Sequence, residues 1–142
     1  MDINDEKLIK LFHSRGFKVT PQRLGICNYV LKSTDHPSAE KIYSNIKKKY
    51  KTISRATVYK TIALLKEMGL ISELNLNTTP SRYDPNQNIH VNIICPKCNS
   101  ISDYESEVVE EFFLNLKSEL DNDILGQNLD VYKICETCSK KK

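Results

Sequence analysis

Four of the five cysteines stand in two CxxC pairs, Cys95/Cys98 and Cys135/Cys138. Four thiolates at about 2.3 Å satisfy the tetrahedral preference of Zn²⁺ and leave no open position, so such a site is structural. The 36 residues between the pairs exceed the roughly 15–20 of a compact zinc ribbon, so the metal is expected to fasten a distant C-terminal strand to its domain. Two redox-active disulfides are the alternative for the same pairs. Cys27 is expected to be a buried, inert thiol.

Composition and charge bound the class of protein. Hydrophobic residues make up 39% of the 142 and charged residues 27%, as in a soluble globular chain. The start, MDINDEKLIK, has no apolar signal core, and no apolar run reaches the ~18 residues of a membrane span, so a cytoplasmic protein without a membrane partner is expected. Residues 1–84 hold 15 Lys and Arg against 8 Asp and Glu, whereas residues 85–142 hold 6 against 10. This balance suggests that only the first half binds a polyanion. The alternative is that the excess positive charge comes from scattered, solvated lysines without a partner.

The first half predicts helices closed by a β-hairpin. Helices are expected before Gly16, from a cap at Thr20 to near Asp35, from Ser38, and from about Ser54 to Met68. Their inward positions share helical spacing: Leu8, Leu11 and Phe12; Leu24, Cys27 and Leu31; Ala39, Ile42, Tyr43 and Ile46; Val58, Ile62 and Leu65. LISELNL and SRYD then alternate as two strands, with NTTP as the turn. This order is the winged helix-turn-helix pattern, in which the helix before the wing enters the DNA major groove.

The helix before the wing carries candidate DNA contacts. In SRATVYKTIALLKEMG the apolar positions turn inward and leave an outward face: Arg55, Ala56, Tyr59 and Lys60. A short Ala and an aromatic ring suit thymine methyls, while Arg and Lys can reach guanine or phosphate. An ordinary solvated amphipathic helix is the alternative.

The second half predicts a small α/β unit. HVNIIC and SISDYE can pair across the PKCN turn, and LDVYKIC leads as a last strand into the second CxxC. The segment from Glu107 to Leu120 is expected to be an amphipathic helix with one apolar face: Val109, Phe112, Phe113, Leu116 and Leu120. Such a unit is too small for a large core, and an uncovered sheet edge favours dimerisation. The predicted class is therefore α+β, with a winged-helix DNA-binding domain at residues 1–84 and a small α/β dimerisation and zinc-binding domain at residues 85–142.

Several motifs give the chain a resemblance to the ferric uptake regulator family, and more closely to its peroxide-stress regulator branch. The matching segments run in order through the sequence: GFKVTPQR, HPSAEKIY, SRATVYKTIALLKEMGLI, SRYD, CPKC and CETC. The resemblance implies a homodimeric winged-helix repressor that binds an AT-rich inverted repeat of double-stranded DNA when its regulatory metal is loaded. It also implies that Lys18 approaches the minor groove, where a cation suits the narrow, negative AT-tract.

The resemblance further implies a second, regulatory metal between the two domains. In the peroxide-sensing branch three histidines and two aspartates hold one Fe²⁺ or Mn²⁺ per subunit, beside one structural Zn²⁺. The matching positions here are His36, Asp84, His90 and Asp103, with Asn92 where the third histidine belongs. Imidazole and carboxylate together suit Fe and Mn. The neutral amide oxygen of Asn92 is a weaker ligand, so lower affinity, replacement by water or a greater preference for Mn²⁺ is expected.

The predicted function is a metal-dependent repressor that responds to peroxide through oxidation of the histidines, His36 and His90, that hold Fe²⁺. An iron- or manganese-responsive regulator of metal uptake, without peroxide sensing, is the alternative, and a zinc sensor is a further rival. The same His and Asp residues could hold a hydrolytic metal. However, the sequence has no nucleophile elbow, glycine-rich phosphate loop or further general base, so an enzyme with a small-molecule substrate is not expected. A zinc-stabilised interaction module that does not bind DNA is the remaining class.

Overall fold

The computed structural model describes residues 3–76, 80–120 and 124–141, and it divides the chain into two compact units, residues 1–86 and 87–142. The predicted α+β class is confirmed, because the described chain contains both helices and short strands. In chain order these elements are α1 (Asp5–Ser14), α2 (Pro21–Leu31), α3 (Ala39–Lys49), α4 (Arg55–Glu67), β1 (Ser72–Leu74), β2 (Arg82–Asp84), β3 (Val91–Ile94), β4 (Ile101–Tyr104), α5 (Glu107–Glu119), β5 (Asp130–Tyr132) and α6 (Glu136–Lys140). Among the described residues, every helix is too short or too polar to cross a membrane.

Side-chain caps set the starts of the helices in the N-terminal unit. Thr20, Ser38 and Ser54 each accept a hydrogen bond from the backbone N–H three residues ahead, and Pro21 follows the first of these caps. Each cap satisfies an N–H group that the helix itself leaves without a partner. After α4 the chain turns through Gly69 at φ +70°, a conformation that glycine adopts without steric cost. Helices α2, α3 and α4 therefore begin, and α4 ends, where the local sequence predicts.

Helix α2 departs from its prediction at its C-terminal end. It ends at Leu31 rather than near Asp35, and the Ser33 backbone N–H and hydroxyl both donate to the Val30 carbonyl, which the ended helix leaves open. Its fully buried side chains are Ile26, Cys27 and Val30, whereas Leu24 and Leu31 are only partly buried. Leu24 and Leu31 nevertheless pack against the same buried cluster as Cys27, so all three predicted positions contact the core, two of them at its edge. Because α1, α3 and α4 all pack on α2, contacts from several directions override its weak amphipathic pattern.

The wing is a two-stranded antiparallel ribbon, as predicted. Ser72 pairs with Asp84 and Leu74 with Arg82; the predicted turn at 77–80 lies outside the described residues except for Pro80. Strand β2 is also tied to the turn before α3, because the Tyr83 N–H donates to the Pro37 carbonyl at 3.1 Å. The Arg82 guanidinium donates to the carbonyls of Asp35 and His36. These bonds hold the end of the wing against the residues that precede α3.

The C-terminal unit is a three-stranded sheet in the order β4-β3-β5, with β3 antiparallel to β4 and parallel to β5. The central strand β3 is the most buried of the three. Helix α5 begins at the Ser106 cap as expected, but Phe113 is its only buried residue, and Phe112 and Leu120 are more than half exposed. The apolar positions predicted to share one face of α5 are therefore largely uncovered in the single chain.

Candidate metal centres and DNA-binding surface

The four paired cysteines come together in the C-terminal unit. Their sulfur atoms all lie within 4.8 Å of one another, and Cys98 Sγ is 3.8 Å from Cys135 Sγ. Sulfur ligands of a tetrahedral ion with bonds of about 2.3 Å are separated by about 3.8 Å, so the cluster fits Zn²⁺. A disulfide needs about 2.05 Å between the sulfurs, and all five cysteines are free thiols. The geometry therefore favours the zinc interpretation over the pair of disulfides.

Backbone pairing explains why two distant CxxC segments meet. The Lys133 N–H donates to the Ile94 carbonyl at 2.9 Å, which continues the parallel β3–β5 ladder and delivers Cys135 beside Cys95. Cys95 directly follows β3 and begins a tight turn. In this turn Asn99 adopts φ +59°, and its N–H donates to the Cys95 carbonyl at 2.8 Å. The loop-closing role predicted for the cluster thus has a structural basis in a strand pair that is distant in sequence.

The electrostatics of the cysteine cluster favour a cation. The Cys135 N–H donates to Cys95 Sγ at 3.4 Å, and this bond is the main cause that lowers the pKa of Cys95 to about 6. The Ser100 hydroxyl similarly lowers the pKa of Cys98. By contrast, the neighbouring Cys135 sulfur raises the pKa of Cys138 to about 12. Four adjacent sulfurs cannot all ionise without a compensating charge, and a dication such as Zn²⁺ supplies it.

His36 and Asp84 form a buried pair in the N-terminal unit. His36 Nε2 lies 3.3 Å from Asp84 Oδ2, and the two residues are 1% and 2% exposed. His36 adopts φ +50°, an uncommon conformation for a residue with a side chain, and the contacts of Arg82 with its carbonyl support it. Asp84 ends β2, so the wing carries it to the His36 turn. An imidazole nitrogen and a carboxylate oxygen in this arrangement can both bind one Fe²⁺ or Mn²⁺.

His90, Asn92 and Asp103 form a second group of candidate ligands, within the C-terminal unit. His90 Nε2 lies 3.1 Å from Asn92 Oδ1 and 3.7 Å from Asp103 Oδ1. His90 Nδ1 donates to the Asn88 carbonyl at 2.7 Å, since a carbonyl oxygen can only accept. Nε2 therefore faces two oxygens, and it is the ring nitrogen that can bind an ion once it is deprotonated. One nitrogen and two oxygens arranged in this way also fit Fe²⁺ or Mn²⁺.

Helix α4 presents the predicted DNA-facing side chains to solvent. Arg55, Ala56, Tyr59 and Lys60 are all exposed, while Val58, Ile62 and Leu65 are buried. Arg55 is held by an ion pair with Glu40, at 3.0 Å from Nε to Oε1, and its guanidinium lies 4.4 Å from the centre of the Tyr43 ring. Lys18 is also exposed, and its carbonyl accepts a hydrogen bond from Arg23 Nη1. The four α4 side chains are thus available to a polyanion, with Arg55 already oriented.

Sequence reasoning missed the residues that position these groups. Asn88, Asn128 and Asp130 contact His90 or Asn92 directly, and Arg82 supports His36. For Asn128 and Asp130 the only signal in the sequence is that both are polar residues at the start of the segment that leads into the second CxxC pair. Their role depends on the strand order, which places β5 beside β3.

Comparison with known proteins identifies the family. The model of the Ferric uptake regulator family matches residues 14–132. The chain belongs to the ferric uptake regulator family. The peroxide-responsive repressor PerR of Staphylococcus epidermidis is 32% identical over 136 residues, which cover 96% of this chain and 91% of that protein. The predicted resemblance to the family and to its peroxide-stress branch is thereby confirmed.

Solved structures of family members share the fold. The Campylobacter jejuni peroxide stress regulator superposes with a TM-score of 0.74 at 30% identity, covering 96% of this chain and 100% of that chain. The Helicobacter pylori ferric uptake regulator, whose structure has three functional metal-binding sites, superposes with a TM-score of 0.80 at 23% identity, covering 95% and 91%. Members of the family are metal-responsive transcriptional regulators that bind DNA as dimers, and they are not enzymes. The expectation that this chain is not an enzyme is confirmed.

Proposed function

We propose that the chain is a peroxide-responsive repressor that binds an AT-rich inverted repeat of DNA as a homodimer when a regulatory Fe²⁺ or Mn²⁺ is bound. Residues 1–84 would supply the DNA-binding domain, through Lys18 and the exposed face of α4, and residues 85–142 would supply the dimerisation and zinc-binding domain. One structural Zn²⁺ per subunit would be held by Cys95, Cys98, Cys135 and Cys138. The likeness to PerR over nearly the whole chain supports this function.

The observation that carries the proposal is a pair of candidate ligand groups, one in each unit. His36 and Asp84 are paired and buried at the end of the wing, and His90, Asn92 and Asp103 converge on the sheet of the C-terminal unit. Both groups combine imidazole with carboxylate, the set that suits Fe and Mn. If both groups bind the same ion, occupancy fixes one arrangement of the two units and so couples metal binding to DNA binding.

The two histidines are the groups through which peroxide would be sensed. His36 and His90 would hold Fe²⁺, which would supply one-electron chemistry towards hydrogen peroxide beside the imidazoles. Overall, one peroxide oxygen replaces the ring C–H hydrogen of His36 or His90 as a C–O bond, the peroxide is reduced and the second oxygen leaves as water. The oxidised ring is a poorer ligand, so the ion and then the DNA are released. Mn²⁺ does not support this step, so a Mn²⁺-loaded repressor stays bound.

The test combines DNA binding with mass spectrometry. Protein loaded with Fe²⁺ is expected to release an AT-rich inverted repeat after peroxide treatment, whereas Mn²⁺-loaded protein keeps it. A gain of about 16 Da, one oxygen, is expected on His36 or His90. The third histidine, His13, lies at the exposed end of α1 and serves as the internal control that stays unmodified. Release without any gain of mass on His36 and His90 would rule out histidine-based sensing.

A second candidate function is an iron- or manganese-responsive regulator of metal uptake without peroxide sensing. The amide of Asn92, at the position where the family's peroxide sensors carry a third histidine, is the observation that favours it. A neutral oxygen binds Mn²⁺ better relative to softer ions. Under this function, Fe²⁺-loaded and Mn²⁺-loaded protein would hold the DNA equally after peroxide, and all three histidines would stay unmodified.

A further inference from the structure

A row of polar side chains crosses the sheet of the C-terminal unit at Asn92. This β3 residue is in register with Asp103 on β4 and with Asp130 on β5. Residues paired across neighbouring strands project from the same face of a sheet, so the Asn92 amide lies between two carboxylates. Asn92 is only 1% exposed. A buried amide in this position must use its two ends differently, since one end donates hydrogen bonds and the other accepts them.

Hydrogen bonds from β5 and the segment before it determine which end of the amide faces which carboxylate. Asn92 Nδ2 donates to Asn128 Oδ1 at 2.7 Å and to Asp130 Oδ1 at 3.1 Å. Asn128 Nδ2 in turn donates to Asp130 Oδ2 at 3.3 Å. Because a carboxylate can only accept, Asp130 holds the nitrogen ends of both amides. The Asn92 oxygen is consequently turned away from β5, towards His90.

Three candidate ligand atoms converge on the same face of the sheet. The Asn88 carbonyl accepts from His90 Nδ1, so Nε2 is the ring atom that can bind an ion. Nε2 is 3.1 Å from Asn92 Oδ1 and 3.7 Å from Asp103 Oδ1. Adjacent ligand atoms of an octahedral ion with bonds near 2.1 Å are about 3 Å apart, so Nε2 needs little movement to share an ion with either oxygen.

We propose that Asn128 and Asp130 are positioning residues that hold the Asn92 oxygen as a metal ligand. The C-terminal unit then presents one nitrogen and two oxygens, a set that narrows the usual advantage of Zn²⁺ over Mn²⁺ and Fe²⁺ because oxygen ligands suit the harder ions. This inference rests on the proposed function, which assigns the regulatory metal to His90 and Asp103. Asn92 is then a substituted ligand that sets metal selectivity, and water does not take its place.

The first test removes the two acceptors that orient Asn92. Asn128→Ala combined with Asp130→Ala frees the amide to rotate, and loss of such orienting partners weakens metal binding by about 10–100-fold. Mn²⁺ affinity is measured on the full-length, zinc-loaded protein from the electron paramagnetic resonance signal of free Mn²⁺. Gln127→Ala, at an exposed neighbouring position, is the matched control with wild-type affinity. Equal Mn²⁺ affinity in the double variant and the control would overturn the inference.

The zinc content of each variant reports whether it has folded. If the double variant loses zinc, the single variant Asn128→Ala is used in its place, because Asn128 is exposed.

The second test concerns selectivity, which a purely structural role would not change. Asn92→His replaces the oxygen by an imidazole nitrogen and keeps an N–H for the same acceptors. The ratio of Zn²⁺ to Mn²⁺ affinity at the regulatory site is expected to rise by about tenfold or more, because imidazole suits Zn²⁺. Competition dialysis of the two ions measures the ratio after the cysteine site has been filled. An unchanged ratio would show that residue 92 does not ligate the ion.

A third variant separates this inference from the function on which it rests. His90→Ala removes a ligand that the proposed function requires, and Asn92→Ala removes only the oxygen assigned here. Loss of Mn²⁺ affinity in both variants supports the assignment of Asn92. If His90→Ala loses Mn²⁺ affinity while Asn92→Ala keeps wild-type affinity, the assignment of Asn92 as a ligand is overturned and the proposed function is unaffected. Wild-type affinity in His90→Ala overturns the proposed location of the regulatory metal and the inference with it.

Discussion

The two units of the chain differ in how far they bury their apolar side chains. Fifteen residues of the N-terminal unit form one buried hydrophobic cluster, whereas the described part of the C-terminal unit buries five hydrophobic residues: Val91, Ile94, Cys95, Ile101 and Phe113. Of the eleven exposed large hydrophobic residues described, ten belong to the C-terminal unit and only Tyr59 to the other. The four helices can thus stabilise themselves by packing, whereas the short sheet and its one long helix form the small core that the proposed zinc site and dimer would supplement.

The largest effect is expected from loss of the proposed structural zinc in the C-terminal unit, whose hydrophobic core is small. Cys135→Ser removes one of four sulfurs, so zinc should fall from about one ion per chain to near zero, and the C-terminal unit and the dimer should be lost. Helical circular dichroism from the N-terminal unit should persist. Zinc analysis and sedimentation measure both results, with Cys27→Ala as the control that keeps zinc. A zinc-free variant that remained a dimer would remove the contrast between the units.

The second largest effect is expected from a cavity in the hydrophobic core of the N-terminal unit. Ile42 is fully buried in the N-terminal cluster, and Ile42→Ala is expected to lower the free energy of unfolding by about 2–5 kcal/mol. Leu125, on the other unit, is fully exposed, and Leu125→Ala should leave the unfolding free energy unchanged. Urea denaturation of the zinc-loaded protein measures both variants. Similar losses in the two would contradict the difference in packing.

The regulatory ligands should respond differently from the cysteines. Asp84→Ala is expected to weaken Mn²⁺ binding by at least about tenfold and to abolish metal-dependent DNA binding, since a carboxylate ligand is missing. Zinc content and the dimer should be unchanged, because Asp84 belongs to the N-terminal unit. Metal titration, a mobility shift and sedimentation together check this result. If Asp84→Ala and Cys135→Ser behaved alike, the division into a structural and a regulatory site would be wrong.

A smaller effect is expected on the exposed face of α4. Lys60 is exposed, and Lys60→Ala should weaken DNA binding at all sequences and lower the slope of log affinity against log salt by about 1 if the side chain contacts a phosphate. Fluorescence anisotropy at several salt concentrations measures the slope. Lys117→Ala on α5 is the matched control, since Lys117 lies on the other unit. An unchanged slope in Lys60→Ala would remove this residue from the proposed DNA surface.

The smallest effect concerns the fifth cysteine. Burial raises the pKa of Cys27 to about 12, so the native thiol stays protonated at pH 8 and should not react with iodoacetamide. The raised pKa also means that the native state loses stability as the pH rises from 9 towards 12, because the unfolded thiol ionises first. Mass spectrometry of native and unfolded protein, with zinc present to protect the other cysteines, checks the labelling. Rapid alkylation of Cys27 in native protein would contradict its burial.

Features that depend on local spacing can be predicted from the amino-acid sequence. Caps at Thr20, Ser38 and Ser54 and the terminating Gly69 set the helix ends, because each satisfies or redirects backbone groups within a few residues. The two CxxC pairs likewise predicted a thiolate metal site, since the ligand types and their short spacing are local. The C-terminal end of α2 was predicted wrongly, because it depends on what packs against the helix.

The contacts between residues far apart in the sequence depend instead on how the strands pair. The strand order β4-β3-β5 places Asn92 between Asp103 and Asp130, and the contact of β2 with the turn before α3 places Asp84 beside His36. Strand order and register arise from long-range pairing, which a one-dimensional pattern does not encode. For the same reason, the orientation of the Asn92 amide could not be read from the sequence, since Asn128 and Asp130, the residues that orient it, lie more than thirty positions away.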